Sequence, residues 1–225
     1  MFNHLELSVT PTKLVREHVN GKRLYLTPEG NKYPSITTVL GWFSAKSIAQ
    51  WRKRVGSEAA NKITTQASRR GTSVHQLCED YLNNIEIDYK KLLPTDMELF
   101  RILKPVLDEG VEDIYAQELG MYSDHLGLAG TVDCVANYNG KLSIIDFKTS
   151  RQTMHGDKYG KLEKYFRQAS GYAVMFEERF SIPINNLVII AAVDGSDSPE
   201  VYVSKRDIHI QGLIDMVKEY KEFAK

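Results

Sequence analysis

An Asn139-Gly140 pair limits the fold of this chain more than any other feature of its sequence. Asn-Gly is the most frequent signal for a two-residue β-hairpin turn, because both turn residues adopt positive φ. The segments on either side, residues 127–138 and 141–149, alternate between apolar and polar residues as half-buried strands do. We therefore predict an antiparallel hairpin in which Tyr138 lies opposite Lys141 and the pairing continues residue by residue away from the turn.

This register brings charged side chains together. It places Asp133 opposite Asp146, and strand alternation places Lys148 on the same face as Asp146. Two carboxylates with Cβ atoms about 5 Å apart repel each other unless a cation lies between them. Hard oxygen ligands suit Mg²⁺ or Mn²⁺, and a lysine of lowered pKa beside the ion could orient water or stabilise a phosphoryl group. The alternative is an exposed Asp–Lys pair without a metal.

The remaining patterns predict helices and further strands around this hairpin. Strands are expected in residues 22–33, 113–123, 186–193 and 200–204. Ser35 and Ser44 are predicted to cap two short helices, and further helices are expected at 57–68, after Gly71, from Pro94, at 162–180 and at 207–224. This order of elements predicts an α/β (α+β) domain with a mixed sheet flanked by helices.

Composition excludes several classes of protein. No apolar segment reaches the roughly 18 residues that a membrane helix needs, and the start has no signal-peptide or transit-peptide pattern, so we expect a cytoplasmic protein without a membrane partner. Two cysteines, Cys78 and Cys134, are too few for a four-cysteine zinc site or an iron–sulfur cluster. The net charge is zero, but residues 1–92 hold 14 Lys and Arg against 8 Asp and Glu, which hints at a basic half that binds a partner.

Four motifs carry a resemblance to a nuclease family. Asp133 followed by Asp146-Phe147-Lys148 resembles the PD-(D/E)XK signature, GTSVHQLCE (71–79) resembles the histidine helix of its RecB-like exonuclease branch, and QASGY (168–172) resembles that branch's Gln-x-x-x-Tyr element. YPSITTVLGWF followed by RRGTSVH is most similar to the mitochondrial genome maintenance exonuclease group and related phage and bacterial exonucleases. The match covers most of residues 30–195. It implies a restriction-endonuclease-like core in one nuclease domain, 1–225, with a helical arch at 30–70 and the catalytic core at 71–195.

The resemblance also implies roles for single residues. The metal ligands would be His75, Asp133, Asp146 and the backbone carbonyl of Phe147. Lys148 would be the catalytic lysine, and Gln168 and Tyr172 would position that lysine or a substrate phosphate. Glu79, four residues after His75, could fix the histidine tautomer, and Glu118 could join the acidic site; a solvated or plain strand carboxylate fits each of them as well. Taken alone, His75 fits a core or surface histidine, and Gln168 with Tyr172 fits an ordinary helix face.

Basic and aromatic residues before the core are candidates for binding nucleic acid. Aromatic rings beside cations hold single strands without sequence readout, and hydroxyl groups donate to phosphates. The candidates are Ser35, Thr37, Trp42, Trp51, Arg52, Arg54, Arg69 and Arg70. The two tryptophans also fit core positions, and Ser35 also fits a simple helix cap.

The resembled family implies an Mg²⁺- or Mn²⁺-dependent exonuclease that prefers single-stranded DNA with a free end and also meets duplex ends. Because no GxxxxGK[ST] motif is present, unwinding would fall to a helicase, polymerase or recombination partner. Alternatives within the fold are a duplex-DNA recombination exonuclease and an endonuclease. An alternative of another class is a non-catalytic nucleic-acid-binding module.

Overall fold

A mixed five-stranded sheet forms the centre of the protein. The structure, a computed structural model, describes residues 1–7, 10, 14–19, 22–156 and 160–223. The strands follow the spatial order β4-β5-β6-β7-β8, with β6 and β7 parallel and the other neighbours antiparallel. Their bounds are β4 Val111–Ser123, β5 Leu128–Tyr138, β6 Lys141–Ser150, β7 Asn186–Val193 and β8 Glu200–Lys205.

Within the part of the chain that the structure describes, five α-helices cover the two faces of this sheet. They are α1 Ile36–Val55, α2 Ser57–Leu82, α3 Pro94–Gly110, α4 Lys161–Phe180 and α5 Arg206–Phe223. Apolar residues of α1, α4 and α5 share one buried cluster with one face of the sheet, while those of α2 and α3 share a second cluster with the other face. The predicted mixed α/β class is therefore confirmed. Among the helices of the described residues, none is long and apolar enough to cross a bilayer.

The predicted hairpin is confirmed together with its register. Asn139 and Gly140 have φ of +48° and +72°, and β5 pairs with β6 from Tyr138 opposite Lys141 to Cys134 opposite Ile145. The local turn chemistry set this pairing, since only an Asn-Gly type of turn holds two positive φ angles at low cost.

The helix boundaries predicted before the core are partly wrong. Ser35 does cap α1, its hydroxyl accepting a hydrogen bond from Thr38 N at 3.0 Å. Ser44 begins no new helix; it lies inside α1 and its hydroxyl donates to the Leu40 carbonyl at 3.3 Å. The two helices predicted on either side of Gly71 are one helix, because a single glycine costs only about 1 kcal/mol. The predicted boundary between arch (30–70) and core (71–195) thus falls inside α2.

A second, three-stranded antiparallel sheet precedes α1. It consists of β1 Val15–Val19, β2 Lys22–Leu26 and β3 Lys32–Pro34 in that spatial order. The sequence predicted a strand within 22–33 but not β1. Tyr25 of β2 is buried against Tyr122 and Ala129 of the central sheet, so the small sheet is packed against the core.

Candidate active site

The hairpin ladder ends where its acidic residues begin. The pairing of Cys134 with Ile145 is the last of the ladder, and the next residues along the two strands are Asp133 and Asp146. At this point the Phe147 backbone N–H donates to Asp133 Oδ2 at 2.9 Å. Here the Asp133 carboxylate takes the place of a backbone carbonyl as the acceptor of a strand N–H group. This hydrogen bond holds the carboxylate against β6.

Three side chains from different elements meet beside this bond. His75 of α2, Glu118 of β4 and Asp133 of β5 each offer a ligand atom, and these atoms lie within 4.8 Å of one another. His75 Nδ1 is 3.4 Å from Asp133 Oδ2. Glu118 faces Asp133 across the sheet, because Gln117 pairs with Cys134 and Leu119 pairs with Val132. From the sequence, Glu118 could be either a member of the site or a plain strand residue. The structure places it in the acidic cluster.

The backbone of Glu118 is strained. Its φ is +45°, in the left-handed region, although it is neither glycine nor a turn residue. Such a conformation costs about 1–3 kcal/mol and persists only where the surrounding structure enforces it; residues of this kind cluster at functional sites. The strain is consistent with a carboxylate whose position matters more than its contribution to stability.

Asp146 lies next to this cluster but has different partners. Its Oδ1 accepts a hydrogen bond from Gln168 Nε2 at 3.3 Å, and its Oδ2 forms an ion pair with Lys148 Nζ. Asp146 is fully buried. Of the ligands expected from the resemblance, His75 and Asp133 are thus brought together with Glu118, while Asp146 is held by Lys148 and Gln168; Phe147 contributes its N–H group to Asp133.

The two aspartates differ in acidity because of these partners. Burial, together with the charge of Asp133, raises the pKa of Asp146 to about 6 against the opposing charge and hydrogen bond of Lys148. Burial also opposes ionisation of Asp133, but the charge and hydrogen bond of His75, the charge of Lys148 and the Phe147 N–H outweigh it and lower its pKa. Asp133 is therefore the carboxylate better prepared to bind a cation.

The basic residues of the site hold their protons more tightly than usual. Burial lowers the pKa of His75, but the charge and hydrogen bond of Asp133 outweigh this and raise it. For Lys148, burial is likewise outweighed by the charges of Asp146 and Asp133, so its pKa is raised. The sequence led us to expect a lowered pKa for this lysine. With the protein groups alone, Lys148 is an ammonium donor and not a base.

Glu118 titrates unusually for an accessible carboxylate. Partial burial in the cleft, together with the negative charges of Asp133 and Glu79, raises its pKa to about 7. A divalent cation would remove this repulsion, since carboxylate oxygens and imidazole nitrogen are ligands of Mn²⁺, and the carboxylates alone suit Mg²⁺. The donor set therefore fits the predicted metal.

One face of α4 lines the other side of the site. Gln168 Nε2 donates to the Tyr172 hydroxyl at 3.1 Å as well as to Asp146. Gln168 therefore helps to position the Asp146 carboxylate. The sequence predicted that Gln168 and Tyr172 position the lysine or a substrate phosphate. A Cβ at Gly130 would lie 2.7 Å from Tyr172 Cε1, so only glycine fits there. Tyr165 was not predicted: Lys148 Nζ lies 4.9 Å from its ring centroid. Its spacing of three residues before Gln168 was the signal for a shared helix face.

These groups open into a cleft of about 240 Å³. Two of the predicted nucleic-acid contacts, Ser35 and Thr37, line it beside the site residues. Three residues of the small N-terminal sheet, which the sequence did not single out, also line it. The lining consists of Arg16, Arg23, Tyr25, Ser35, Thr37, His75, Glu118, Gly130, Thr131, Asp133, Lys148, Gln168 and Tyr172.

Several of the other predicted site residues have partners within the protein. Trp42 packs edge-to-face on Phe43 and Tyr220, with ring centroids 4.8 and 6.0 Å apart, at the margin of the core. Trp51 is half-buried on α1. Glu79 accepts a hydrogen bond from Gln76 at 3.1 Å, whereas the partner of His75 Nδ1 is Asp133.

The four arginines predicted to bind nucleic acid differ in whether they have a partner within the protein. Arg70 Nη1 donates to both carboxylate oxygens of Asp194, at 2.6 and 2.7 Å, which joins α2 to the residue after β7. Arg69 lies 3.5 Å from the buried Asp96. Arg52 donates to Asn61 at 2.5 Å across the two helices of the predicted arch, and Arg54 is exposed. Arg70 therefore has a clear structural role, while Arg54 remains accessible to a ligand.

Comparison with known proteins points in the direction that the sequence motifs indicated. No family model matches the chain. The chain is 28% identical over 135 residues to mitochondrial genome maintenance exonuclease 1 of Homo sapiens, covering 54% of this chain and 38% of that protein. It is 25% identical over 181 residues to the Xenopus tropicalis protein of the same name, covering 72% of this chain and 49% of that protein. The chain thus spans less than half the length of these relatives.

A solved structure described as the crystal structure of SSO0001 covers 80% of this chain and 71% of its own, with 14% identity and a TM-score of 0.39.

Proposed function

We propose that this chain is a Mg²⁺- or Mn²⁺-dependent DNA exonuclease that hydrolyses phosphodiester bonds of single-stranded DNA from a free end. The observation that carries the proposal is the group of His75, Glu118 and Asp133 with ligand atoms within 4.8 Å of one another. The adjacent ammonium group of Lys148, paired with Asp146, adds to it. The relatives named as genome maintenance exonucleases support the same class of enzyme.

The residues of the site would divide the work of hydrolysis. His75, Glu118 and Asp133 would hold the metal, which supplies Lewis-acid polarisation and a water of lowered pKa. Lys148, protonated in this environment, would donate to the phosphoryl oxygens as negative charge develops on them. Gln168 would keep Asp146 in place through its hydrogen bond, and Asp146 would keep the ammonium group of Lys148 oriented.

The preference for a free end rests on the predicted arch. Residues 45–50 of α1 and most residues at the start of α2 are exposed, whereas Ile36, Val39 and Leu40 at the start of α1 belong to the core. The exposed part of this helix pair carries Arg54. A strand passing between it and the site would have to enter from an end, so circular DNA would be a poor substrate.

Digestion of matched linear and circular single strands tests the proposal. Linear oligonucleotides labelled at the 5′ or the 3′ end, a circle of the same sequence and a blunt duplex would be incubated with Mg²⁺, with Mn²⁺ and with EDTA. We expect metal-dependent shortening of the linear single strand and little loss of the circle. Equal cleavage of the circle would identify an endonuclease, preference for the duplex would identify the recombination alternative, and no cleavage in either metal would refute the enzyme.

A further inference from the structure

We propose that the N-terminal three-stranded sheet is the phosphate-binding wall of the cleft, with Arg16 and Arg23 binding phosphates of the single strand next to the bond that is cut. The inference rests on the proposed function and adds the residues that hold the substrate. Both arginines line the cleft that contains His75, Glu118 and Asp133.

The strand register shows that these arginines belong to one surface. Arg16 pairs with Tyr25 and His18 pairs with Arg23, and residues directly opposite each other share a face. Tyr25 of the same face is buried against the central sheet, so this face is the one turned towards the core and the cleft. The opposite face carries Glu17 and Lys32, which pair with each other at 2.8 Å.

The small sheet is anchored firmly enough to place the arginines. Ser35 N donates to the Arg23 carbonyl at 3.3 Å, which joins β2 to the cap of α1. Tyr122 of the central sheet donates to Glu29 at 3.0 Å in the turn between β2 and β3. A binding group held by packed strands loses little freedom when it meets its ligand.

The charge of the two arginines is available to a ligand. Among the residues that the structure describes, neither guanidinium has a carboxylate within ion-pair distance, in contrast to Arg70, which pairs with Asp194. Arg16 lies 6.0 Å from the Tyr25 ring centroid, and its charge lowers the pKa of Glu118 against the larger effect of burial. The planar guanidinium fork matches the oxygens of a phosphate. A strand lying over the acidic cluster would therefore meet cations on the facing wall.

Binding measurements separate this inference from the catalytic proposal. We would compare the parent, R16A, R23A and R16A/R23A with the conservative R16K/R23K and with K32A, a cation removed from the opposite face of the same sheet. A fluorescein-labelled single-stranded oligonucleotide would be titrated in EDTA, where no metal supports cleavage, at several salt concentrations. Anisotropy would give Kd.

We expect the double alanine variant to weaken binding at least tenfold. The slope of log K against log salt should fall by about 0.7 for each phosphate that the variant no longer neutralises. In Mg²⁺, KM should rise more than kcat falls. K32A should bind like the parent, and R16K/R23K should recover part of the affinity and most of the salt slope.

Two results would overturn the inference: parent-like binding by R16A/R23A, or an equal loss in K32A, which would indicate a general effect of charge. Neither result touches the proposed function, which is decided by cleavage in the parent. If the parent bound DNA through these arginines but cleaved nothing, the proposed nuclease function would be refuted and the proposed role of the arginines in binding would still hold.

Discussion

The two walls of the cleft are built on opposite principles. The central sheet contributes acidic side chains that are largely buried and interlocked: Asp133 with His75 and the Phe147 N–H, and Asp146 with Lys148. The N-terminal sheet contributes arginines, Arg16 exposed and Arg23 half-buried. Interactions between buried charges are strong and depend on exact distances, whereas interactions of exposed charges are weaker and are screened by salt. We therefore propose that hydrolysis takes place at the first wall and that the second wall binds the strand.

The largest effect is expected from Asp133→Asn, which removes a central charge of the acidic wall. Loss of the metal's contribution, several kcal/mol, corresponds to a fall in cleavage rate of about 10³-fold or more. Initial rates on the labelled linear strand would measure it. Binding of that strand in EDTA should be unchanged or tighter, because a negative charge is lost.

The exposed loop residue Asp197 offers a matched control, since Asp197→Asn removes the same charge far from the described contacts of the site. Parent-like cleavage by Asp133→Asn would show that the metal is not held at this position.

Lys148→Met should lower kcat by about 10²–10³-fold, the usual loss for one donor to a developing oxyanion. It should also destabilise the protein, because removing one partner of a buried ion pair costs about 3–5 kcal/mol. Asp146 already has a raised pKa, and losing Lys148 raises it further. A carboxyl group whose pKa is higher when folded destabilises the protein above that pKa and regains stability as the pH falls, so the variant should lose less stability at pH 5 than at pH 8.

Urea unfolding at the two pH values would measure this, with Lys205→Met, an exposed position on β8, as the matched control. Adding Asp146→Asn should restore stability but not cleavage. A variant as stable as the parent at both pH values would argue that the pair does not matter for folding.

Glu118→Gly should separate stability from activity. Glycine adopts positive φ without strain, so relief of the strain at φ +45° and of repulsion by Asp133 should raise the free energy of unfolding by about 1 kcal/mol. The loss of a ligand should weaken metal binding and lower the cleavage rate by at least about 10-fold, the smallest loss usual for residues that only support a metal ligand. Thermal melting with and without Mn²⁺ and initial rates would show both effects.

Glu112→Gly on the same strand is the matched change at an exposed position. If Glu118→Gly were instead less stable and fully active, the strain would have no connection with the metal site.

The smallest effect is expected from Arg70→Ala. Its Nη1 group pairs with the carboxylate of Asp194, which is exposed, and ion pairs that water still reaches contribute about 0–1 kcal/mol. Because this arginine is already paired, its removal should leave the Kd for single-stranded DNA within about twofold of the parent, in contrast to R16A. A tenfold loss of affinity would instead support the sequence-based prediction that Arg70 binds nucleic acid.

Much of the site was predictable because it lies on one hairpin. The Asn139-Gly140 turn fixes the register, and the register brings Asp133 and Asp146 to adjacent positions. Gln168 and Tyr172 were also predictable as a pair, since a spacing of four residues on a helix brings side chains together. These inferences needed only local geometry.

The structure changed what depended on contacts between distant segments. Glu118 lies beside Asp133 because β4 pairs with β5 and because the backbone of Glu118 is in the left-handed region. No local sequence pattern predicts either feature. Whether Arg70 or Arg16 is paired depends on which loop comes near, and the direction of the Lys148 pKa depends on a balance of burial and charge. The helix through Gly71 depended on packing that outweighs propensity.

The sequence by itself determined the hairpin, the mixed class of the sheet and the close grouping of two aspartates and a lysine, because turn chemistry and strand alternation act over a few residues. Only the tertiary structure decided that a separate N-terminal sheet closes the cleft with arginines, and that His75 and Glu118 meet at Asp133. Those contacts join segments that are far apart in the chain. Their positions depend on how apolar faces pack, and no periodic pattern around the contacting residues themselves predicts the contact.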